Sequence, residues 1–237
     1  MKAVVLAGGK GTRLVPYTYI LPKPLMPIGD MPILELLLRQ MWRVGIDEVI
    51  LTVGHLANLL ESYFGDGSKF GVHLSYSHED LPLGTAGPLS LLSSLDDTFL
   101  VTNGDVLTNL DFCELLKWHK EHDAVATIAM HERQVHIDFG VIETNGDHTI
   151  KGYIEKPNID YLVSMGVYVF EPEVLKFIPY NQYLDFPDLV LKLITAGKKV
   201  VGFPFSGYWQ DLGRPDDYAQ ASSEFNQMRS KFLPGDD

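Results

Sequence analysis

The first 29 residues hold the densest group of side chains that could do chemistry. A glycine-rich loop, Gly8-Gly9-Lys10-Gly11-Thr12-Arg13, follows a short apolar segment and leads into an irregular stretch. Glycines let backbone N–H groups approach a phosphate without a Cβ in the way. Four cations and no acid lie in these 29 residues, namely Lys2, Lys10, Arg13 and Lys23. The segment predicts local phosphate binding, whereas a loop that merely reverses the chain would explain the glycines but not the cations.

Two common phosphate-binding motifs do not fit this loop. A Walker loop needs Gly-x-x-x-x-Gly-Lys followed by Ser or Thr, but Gly11 follows Lys10 and Val4 occupies the place of the first glycine. A dinucleotide fingerprint that starts at Gly9 would need its third glycine where Leu14 stands. Both motifs are therefore excluded.

The glycine loop is the start of a longer pattern. Gly8-Gly9-x-Gly11-Thr12-Arg13-Leu14, Pro16, and Pro22-Lys23-Pro24-Leu25-x-Pro27-Ile28 resemble the signature of the sugar-phosphate nucleotidylyltransferases. Other segments resemble the base-reading, metal-binding and sugar-side parts of that family: Leu83-Gly84-Thr85-Ala86-Gly87-Pro88-Leu89, Asn103-Gly104-Asp105, Phe139-Gly140-Val141, Glu155-Lys156-Pro157, Gly166 and Gly207-Tyr208-Trp209-Gln210-Asp211-Leu212-Gly213-Arg214-Pro215. Among the branches, the chain looks most similar to mannose-1-phosphate guanylyltransferases.

This resemblance implies a reaction in which a sugar-1-phosphate attacks a nucleoside triphosphate and pyrophosphate leaves. The nucleophile is already an anion, so positioning and electrostatics are the main requirements. The implied catalytic residues are Arg13, Lys23 and Asp105, and the implied ligands of a Mg²⁺ cofactor are Asp105 and Asp211. Nucleotide binding is implied for Leu6, Ala7, Gly8, Gly9, Gly11, Thr12, Arg13, Gly84 and Thr85. Sugar-phosphate binding is implied for Lys23, Gly140, Glu155, Lys156 and Gly166.

Several alternatives stay open at this point. GTP with mannose-1-phosphate, or with a related hexose or heptose phosphate, is the preferred substrate pair, and dTTP, UTP or CTP is the alternative. Ser164 stands where guanylyltransferases of this type often carry an Asn near the sugar. A non-catalytic nucleotide-sugar sensor would be expected to lack Arg13, Lys23 or a metal aspartate, and all are present. A glycosyltransferase would ordinarily carry an Asp-x-Asp motif, and no two Asp stand two apart.

The elements that must position these residues alternate between strands and helices. Strands are predicted at 2–7, 48–53, 72–77, 98–103 and 124–130, and helices at 32–44, 57–64, 88–95 and 111–122. This alternation predicts an α/β fold, a Rossmann-like three-layer sandwich with a mostly parallel mixed sheet. Beyond residue 131, strands at 137–143, 149–154 and 163–170 predict a small antiparallel insertion on the sugar side. Helices at 172–178, 185–196 and 216–232 and strands at 199–203 and 208–211 complete the chain.

The organisation predicted from these elements is one nucleotidyltransferase domain spanning 1–237. Residues 1–130 form the nucleotide-binding half, and residues 131–237 form the sugar-binding half with the C-terminal helix. The last predicted helix ends shortly before Asp237, so the resemblance does not extend to the C-terminal β-helix of many relatives. A homodimer or higher homo-oligomer is common in the family, and the sequence does not choose between them.

Composition narrows the classes of partner. The net charge of −12 argues against binding to duplex nucleic acid, which requires a surplus of Lys and Arg. The single cysteine, Cys113, excludes an internal disulfide and a cysteine-rich zinc site. No apolar run reaches the roughly 18 residues that a membrane span requires. We therefore expect a cytoplasmic protein that binds a nucleoside triphosphate and a sugar-1-phosphate, without nucleic-acid or membrane partners.

Overall fold

The computed structural model describes residues 1–235 of the 237-residue chain. The strands are β1 (Lys2–Leu6), β2 (Pro27–Ile28), β3 (Met31–Pro32), β4 (Glu48–Val53), β5 (His73–His78), β6 (Phe99–Asn103), β7 (Val106–Thr108), β8 (Ala126–His136), β9 (Val141–Thr144), β10 (Ile150–Ile154), β11 (Asn158–Phe170), β12 (Val200–Phe205) and β13 (Trp209–Asp211). The α-helices are α1 (Ile33–Arg43), α2 (Ala57–Phe64), α3 (Phe112–Glu121), α4 (Phe186–Thr195) and α5 (Pro215–Phe232).

A seven-stranded sheet in the order β12-β8-β11-β6-β1-β4-β5 forms the centre of the fold. Its neighbouring strands are parallel except for β11, which runs antiparallel to both β8 and β6. β1 is apolar on both faces because both faces of the sheet are covered. The predicted mostly parallel mixed sheet is therefore confirmed.

Helices cover the two faces of the sheet. Val5 of β1 packs in a cluster with Leu37 of α1 and Leu115 of α3, whereas its neighbour Val4 packs in a second cluster with Leu189 of α4. Side chains that alternate along β1 thus enter two different cores, as the pleat of a strand requires. The three-layer arrangement predicted from the sequence is confirmed. A third cluster joins α5 to the outer side of α1. None of the helices in the described part of the chain is long and apolar enough to cross a membrane.

The antiparallel insertion leaves the sheet as a long ribbon. β8 and β11 pair from Met130↔Ser164 out to His136↔Asn158, and the hairpin β9–β10 follows the end of β8. The pairing of the two strands is irregular between Ser164 and Tyr168, where Gly166 lies. No side chain from residue 130 to residue 164 is buried. We define residues 130–164 as the ribbon.

Some predicted elements were wrong in type or extent. The predicted helices at 88–95 and 172–178 are short 3₁₀ helices, Gly87–Leu91 and Pro172–Phe177, because neither segment is long enough to offset the cost of starting an α-helix. The strand predicted at 137–143 is limited to β9, since a turn occupies 138–139. β8 and β11 are longer than predicted. The outer half of β8 is polar and shows no apolar alternation, and β11 begins at Asn158, five residues before the predicted strand at 163–170. β7 was not predicted, since three residues carry no periodicity.

Candidate active site

A cleft of about 320 Å³ opens at the carboxyl ends of β1 and β6. This is the edge where parallel α/β sheets bind ligands. The predicted residues that line it are Leu6, Ala7, Gly8, Gly9, Gly11, Thr12, Arg13, Lys23, Gly84, Thr85 and Asp105. Pro24, Pro88, Asn103 and Gly104, which belong to the same sequence motifs, also form its wall, and Thr52 and Glu79 are the wall residues that lie outside every motif. The structure therefore brings the predicted nucleotide-binding residues together in one cleft.

Contacts with Thr18, seven residues further along the chain, hold the glycine loop at Gly11. Gly11 has a φ of +60°, and a Cβ there would lie 2.7 Å from Cγ2 of Thr18. The Thr18 hydroxyl donates a hydrogen bond of 2.9 Å to the carbonyl oxygen of Gly11. A glycine is required at position 11 both for its backbone conformation and for this close approach. A Cβ at Gly9, by contrast, would meet no atom within 4 Å, so the loop backbone is open at that point.

Four charged side chains come together here, and two of them are carboxylates that lie beside one ammonium group. Lys23 Nζ contacts the Asp105 carboxylate and lies 3.6 Å from Oδ1 of Asp211. Arg13 Nη2 lies 4.0 Å from Oδ2 of Asp211. The Arg13 guanidinium also rests against Gly213, where a Cβ would be 2.8 Å from Nη2. Two cations and two carboxylates thus alternate at the mouth of the cleft.

Pairing between β7 and β13 brings the two aspartates together. Asp211 pairs with Val106, the residue that follows Asp105. The N–H of Leu212 donates a hydrogen bond of 3.2 Å to the carbonyl oxygen of Asp105. Since β7 is only three residues long and was not predicted, the sequence motifs alone could not show how the carboxylates converge.

Lys23 is largely enclosed. Its side chain is 14% exposed, as is that of Asp105, whereas the Asp211 side chain is 38% exposed. Burial lowers the pKa of Lys23, because the charged ammonium is removed from water, and the negative charge of Asp211 acts in the opposite direction. The carboxylates therefore help to keep a buried ammonium charged.

The donor set around Asp105 and Asp211 fits a hard divalent cation that is shared with a substrate. No group of three or more His, Cys, Asp or Glu residues that could hold a metal ion occurs within residues 1–235. Two converging carboxylates are nevertheless sufficient for Mg²⁺, which usually takes one or two protein carboxylates and completes its shell with phosphate oxygens and water. The Lys23 ammonium already contacts both carboxylates, so the site accepts positive charge.

Glu79 is a cleft residue that the sequence motifs missed. It directly follows β5, and its Oε2 accepts a hydrogen bond of 2.9 Å from the N–H of Leu83. Its Oε1 lies where a Cβ on Gly8 would be, so the carboxylate sits against the glycine loop. Burial raises the pKa of the Glu79 carboxyl. The sequence signal that could have identified Glu79 is an acidic residue at the carboxyl end of β5, a strand that runs parallel to β1.

Thr85 has a structural role beside its place in the cleft. Its hydroxyl donates a hydrogen bond of 3.1 Å to Oδ1 of Asp185 and accepts one of 2.8 Å from the N–H of Phe186. These bonds join the segment around Gly84 to the first turn of α4. The Thr85 side chain therefore positions this segment, and its hydroxyl is already engaged.

The predicted sugar-side residues divide into two groups. Gly166, with a φ of +72°, lies against the cleft wall, since a Cβ there would be 2.5 Å from Nδ2 of Asn103. Gly140, Glu155 and Lys156 lie on or beside the β9–β10 hairpin and do not line the cleft. Gly140 packs against the hydroxyl of Tyr153, which donates a hydrogen bond of 3.2 Å to Oε2 of Glu155.

Comparison with known proteins defines the class to which this fold and site correspond. The family described as "Nucleotidyl transferase" matches residues 2–228, and the chain belongs to this family. Its named relatives include sugar-1-phosphate nucleotidylyltransferases, so the resemblance seen in the sequence motifs is confirmed. Members of the family generally use a divalent metal.

Two curated relatives and one solved structure illustrate the similarity. A UTP–glucose-1-phosphate uridylyltransferase of Synechocystis is 39% identical over 93% of this chain and 62% of its own length. A mannose-1-phosphate guanylyltransferase of Mycobacterium tuberculosis is 35% identical over 94% of this chain and 64% of its own. The chain thus spans less than two thirds of each relative. The structure of HddC from Yersinia pseudotuberculosis shares the fold, with a TM-score of 0.73, 24% identity and coverage of 94% of this chain and 99% of that chain.

Proposed function

We propose that this chain is a sugar-1-phosphate nucleotidylyltransferase that transfers a nucleotidyl group from a nucleoside triphosphate to a sugar-1-phosphate. The observation that carries the proposal is the meeting of Arg13, Lys23, Asp105 and Asp211 beside an open glycine loop. Such an arrangement offers positive charge and backbone N–H groups where two phosphorylated substrates would react. We propose that residues 1–237 do this as one domain, with the nucleotide bound by 1–130 and the sugar by 131–237.

The proposed step is an in-line displacement at the α-phosphorus. A bond forms between this phosphorus and a phosphate oxygen of the sugar-1-phosphate, the bond to the bridging oxygen of the β-phosphate breaks, and pyrophosphate leaves. The nucleophile carries its own negative charge, so no side chain has to remove a proton. The protein's task is to hold two anions together and to stabilise charge in the transition state.

Each charged residue has a distinct part in this step. Arg13 presents a planar fork to the triphosphate, and Lys23 attracts the phosphate of the sugar. Asp105 and Asp211 would hold Mg²⁺, which when bound neutralises phosphate charge as the reaction proceeds. The Lys23 ammonium, which contacts both carboxylates, lies beside the residues that would hold the metal and can attract the sugar phosphate to the same place.

Glu79 supports guanine as the base. An ionised carboxylate only accepts hydrogen bonds, and guanine presents two adjacent donors, N1–H and N2–H₂, on one edge. Uracil and thymine present a single N–H flanked by two carbonyl oxygens, which a carboxylate would repel. We therefore propose GTP, paired with mannose-1-phosphate or a related hexose or heptose phosphate. The similarity to the uridylyltransferase of Synechocystis makes UTP with glucose-1-phosphate the pair to test against it.

The sugar is proposed to bind on the Gly166 side of the cleft. Gly166 adjoins Asn103 in the cleft wall, and β11 connects it to the ribbon that carries the hairpin. Glu155 is proposed to accept hydrogen bonds from sugar hydroxyls, and Lys156 to approach the phosphate. Neither residue lines the cleft, so the sugar is proposed to reach them beyond its edge.

The test is a pyrophosphate-release assay over a matrix of GTP, dTTP, UTP, CTP and ATP against several sugar-1-phosphates, with Mg²⁺ or with chelator. We expect the highest kcat/KM with GTP and loss of activity with chelator. Highest activity with UTP or dTTP would overturn the role of Glu79. Activity that survives chelation would contradict the metal assignment. Absence of activity with every pair, together with measurable nucleotide-sugar binding, would identify a non-catalytic sensor instead.

A further inference from the structure

Arg133 lies over the ring of Trp209, and neither residue lines the cleft. Its Cζ is 5.2 Å from the centroid of the indole. This distance is within the range of a cation–π contact, in which a guanidinium is attracted to the negative face of an aromatic ring. Arg133 belongs to the ribbon, whereas Trp209 opens β13, so the contact joins the insertion to the element that carries Asp211.

The indole beneath Arg133 is held firmly. Nε1 of Trp209 donates a hydrogen bond of 2.9 Å to the carbonyl oxygen of Met165. The ring of His131 lies 5.5 Å from the indole, centroid to centroid, and its Nδ1 is 3.0 Å from the carbonyl oxygen of Phe205. The ring over which Arg133 lies is therefore fixed in position.

Contacts connect Arg133 to the sugar side of the cleft. Trp209 and Asp211 are two residues apart on β13 and both are partly exposed, whereas Gln210 between them is buried. Alternate residues of a strand share a face, and two strand positions span roughly 7 Å. Met165, which binds the indole, directly precedes Gly166, the glycine that adjoins Asn103. Arg133 therefore lies beyond the phosphate-binding residues, on the side where the sugar ring is proposed to extend.

The Arg133 guanidinium has N–H groups available to donate hydrogen bonds to a ligand. Within residues 1–235, the Arg133 side chain makes no ion pair or hydrogen bond and contacts the ring of Trp209. Glu132, its neighbour on β8, points to the other face of the strand, and the nearby Asp160 accepts a hydrogen bond of 2.9 Å from Gln134. A half-buried guanidinium that lies over an aromatic ring and has unused N–H groups is suited to a ligand rich in oxygen acceptors.

We propose that Arg133 is a sugar-binding residue that determines which sugar-1-phosphate is accepted. Its N–H groups donate hydrogen bonds to hydroxyl oxygens on the part of the sugar remote from the phosphate, and Trp209 holds the guanidinium in place for this contact. The inference rests on the proposed transfer to a sugar-1-phosphate, and it adds a residue to which no role has been assigned.

The test combines substitution of Arg133 with removal of single hydroxyl groups from the sugar. Arg133→Met keeps an unbranched apolar side chain to cover Trp209 but has no donors. With the best substrate pair from the assay matrix, we expect this variant to raise the KM for the sugar-1-phosphate about 10- to 100-fold and to leave the KM for the nucleotide unchanged. The KM of Arg133→Lys for the sugar-1-phosphate should lie between those of Arg133→Met and the wild type. Gln134→Met, on the other face of the same strand, is the matched control and should keep wild-type constants.

Sugar-1-phosphates that lack one hydroxyl group distinguish a role of Arg133 in sugar binding from a role in supporting the fold. The wild type should discriminate against the 4-deoxy or the 6-deoxy sugar-1-phosphate, and Arg133→Met should lose that discrimination. If the variant keeps the wild-type KM and the same penalty for each deoxy sugar, the inference is overturned. It is also overturned if both substrate KM values rise together with a lower Tm, which would indicate that Arg133 only supports Trp209. A wild type inactive with every sugar-1-phosphate would overturn the proposed function itself, and this inference with it.

Discussion

The Lys23 ammonium lies 3.6 Å from a carboxylate oxygen of Asp211, and the same ammonium contacts Asp105. These residues come from distant parts of the chain, and the pairing of β7 with β13 brings the two aspartates together. The charges that would handle phosphate groups are therefore assembled and mutually compensated within the protein itself. A bound ligand would therefore replace contacts that these charged side chains already make with one another.

Replacing Lys23 by Met should remove a cation needed for the sugar phosphate. We expect kcat/KM for the sugar-1-phosphate to fall about 100-fold or more, which is typical of losing one electrostatic contact to a reacting group. The variant leaves Asp105 and Asp211 without their shared ammonium, so Mg²⁺ should raise the Tm of the variant more than that of the wild type. Lys23→Arg, which keeps the charge, is the control. Near-normal turnover of Lys23→Met would remove Lys23 from the site.

Gly213→Ala should displace Arg13 without unfolding the protein. A Cβ at position 213 would lie 2.8 Å from Nη2 of Arg13 and 3.0 Å from Oδ2 of Asp211, and the ends of both side chains can move away. We expect a several-fold lower kcat, with the free energy of unfolding within about 1 kcal/mol of the wild type. Gly146→Ala is the matched control, because a Cβ there would meet no atom within 4 Å. Equal kinetics of the two variants would contradict a role for the positions of Arg13 and Asp211.

Glu79 should make GTP binding dependent on pH. Burial raises the pKa of its carboxyl above the ordinary 4.5. The folded protein therefore binds this proton more tightly than the unfolded chain does, and the stability that this provides at low pH is lost as the pH rises through the folded-state pKa. GTP binding changes in the opposite direction, because the ionised carboxylate is the proposed acceptor.

We therefore expect the KM for GTP to rise on acidification, beginning at a pH above 4.5. Glu79→Gln should have a higher KM that no longer changes over this range. Initial-rate measurements from neutral to acidic pH would show the difference. A wild-type KM that stays constant across that range would argue against Glu79 as a base-binding residue.

Gly166→Ala should destabilise the fold as well as the site. Gly166 has a φ of +72°, and a Cβ would lie 2.5 Å from Nδ2 of Asn103. A non-glycine residue in this conformation costs about 1–3 kcal/mol, which denaturant unfolding can measure. Gly152→Ala in the hairpin is the control, since its Cβ would make only ordinary contacts, the nearest at 3.6 Å. Unchanged stability of Gly166→Ala would show that β11 adapts at this point.

Much of the cleft follows from short-range sequence patterns. The apolar strand β1, the glycine loop and the aspartates after strands predict the sheet edge where a ligand would bind, because the carboxyl ends of parallel strands share one edge. The irregular stretch after the glycine loop was also expected, since its prolines prevent a long helix. The structure brings the side chains of Arg13, Lys23, Asp105 and Asp211 together, and the roles assigned to them remain predictions.

What the sequence could not supply depends on contacts between distant segments. Glu79 belongs to no motif and matters only because β5 lies in the same sheet as β1. The contact of Arg133 with Trp209 requires the polar outer half of β8, which has no apolar alternation to identify it as a strand. Glu155 and Lys156 were predicted near the sugar, but the hairpin positions them away from the cleft.

The ribbon contributes no buried side chain between residues 130 and 164, and its Arg133 contacts Trp209 beside the cleft. Sequence changes in this stretch therefore carry little cost for the folding of the sheet. The nucleotide half, in contrast, shares its strands with both main cores. Under the proposed function, exchange of the ribbon would therefore change which sugars are accepted while the nucleotide-binding residues stay the same.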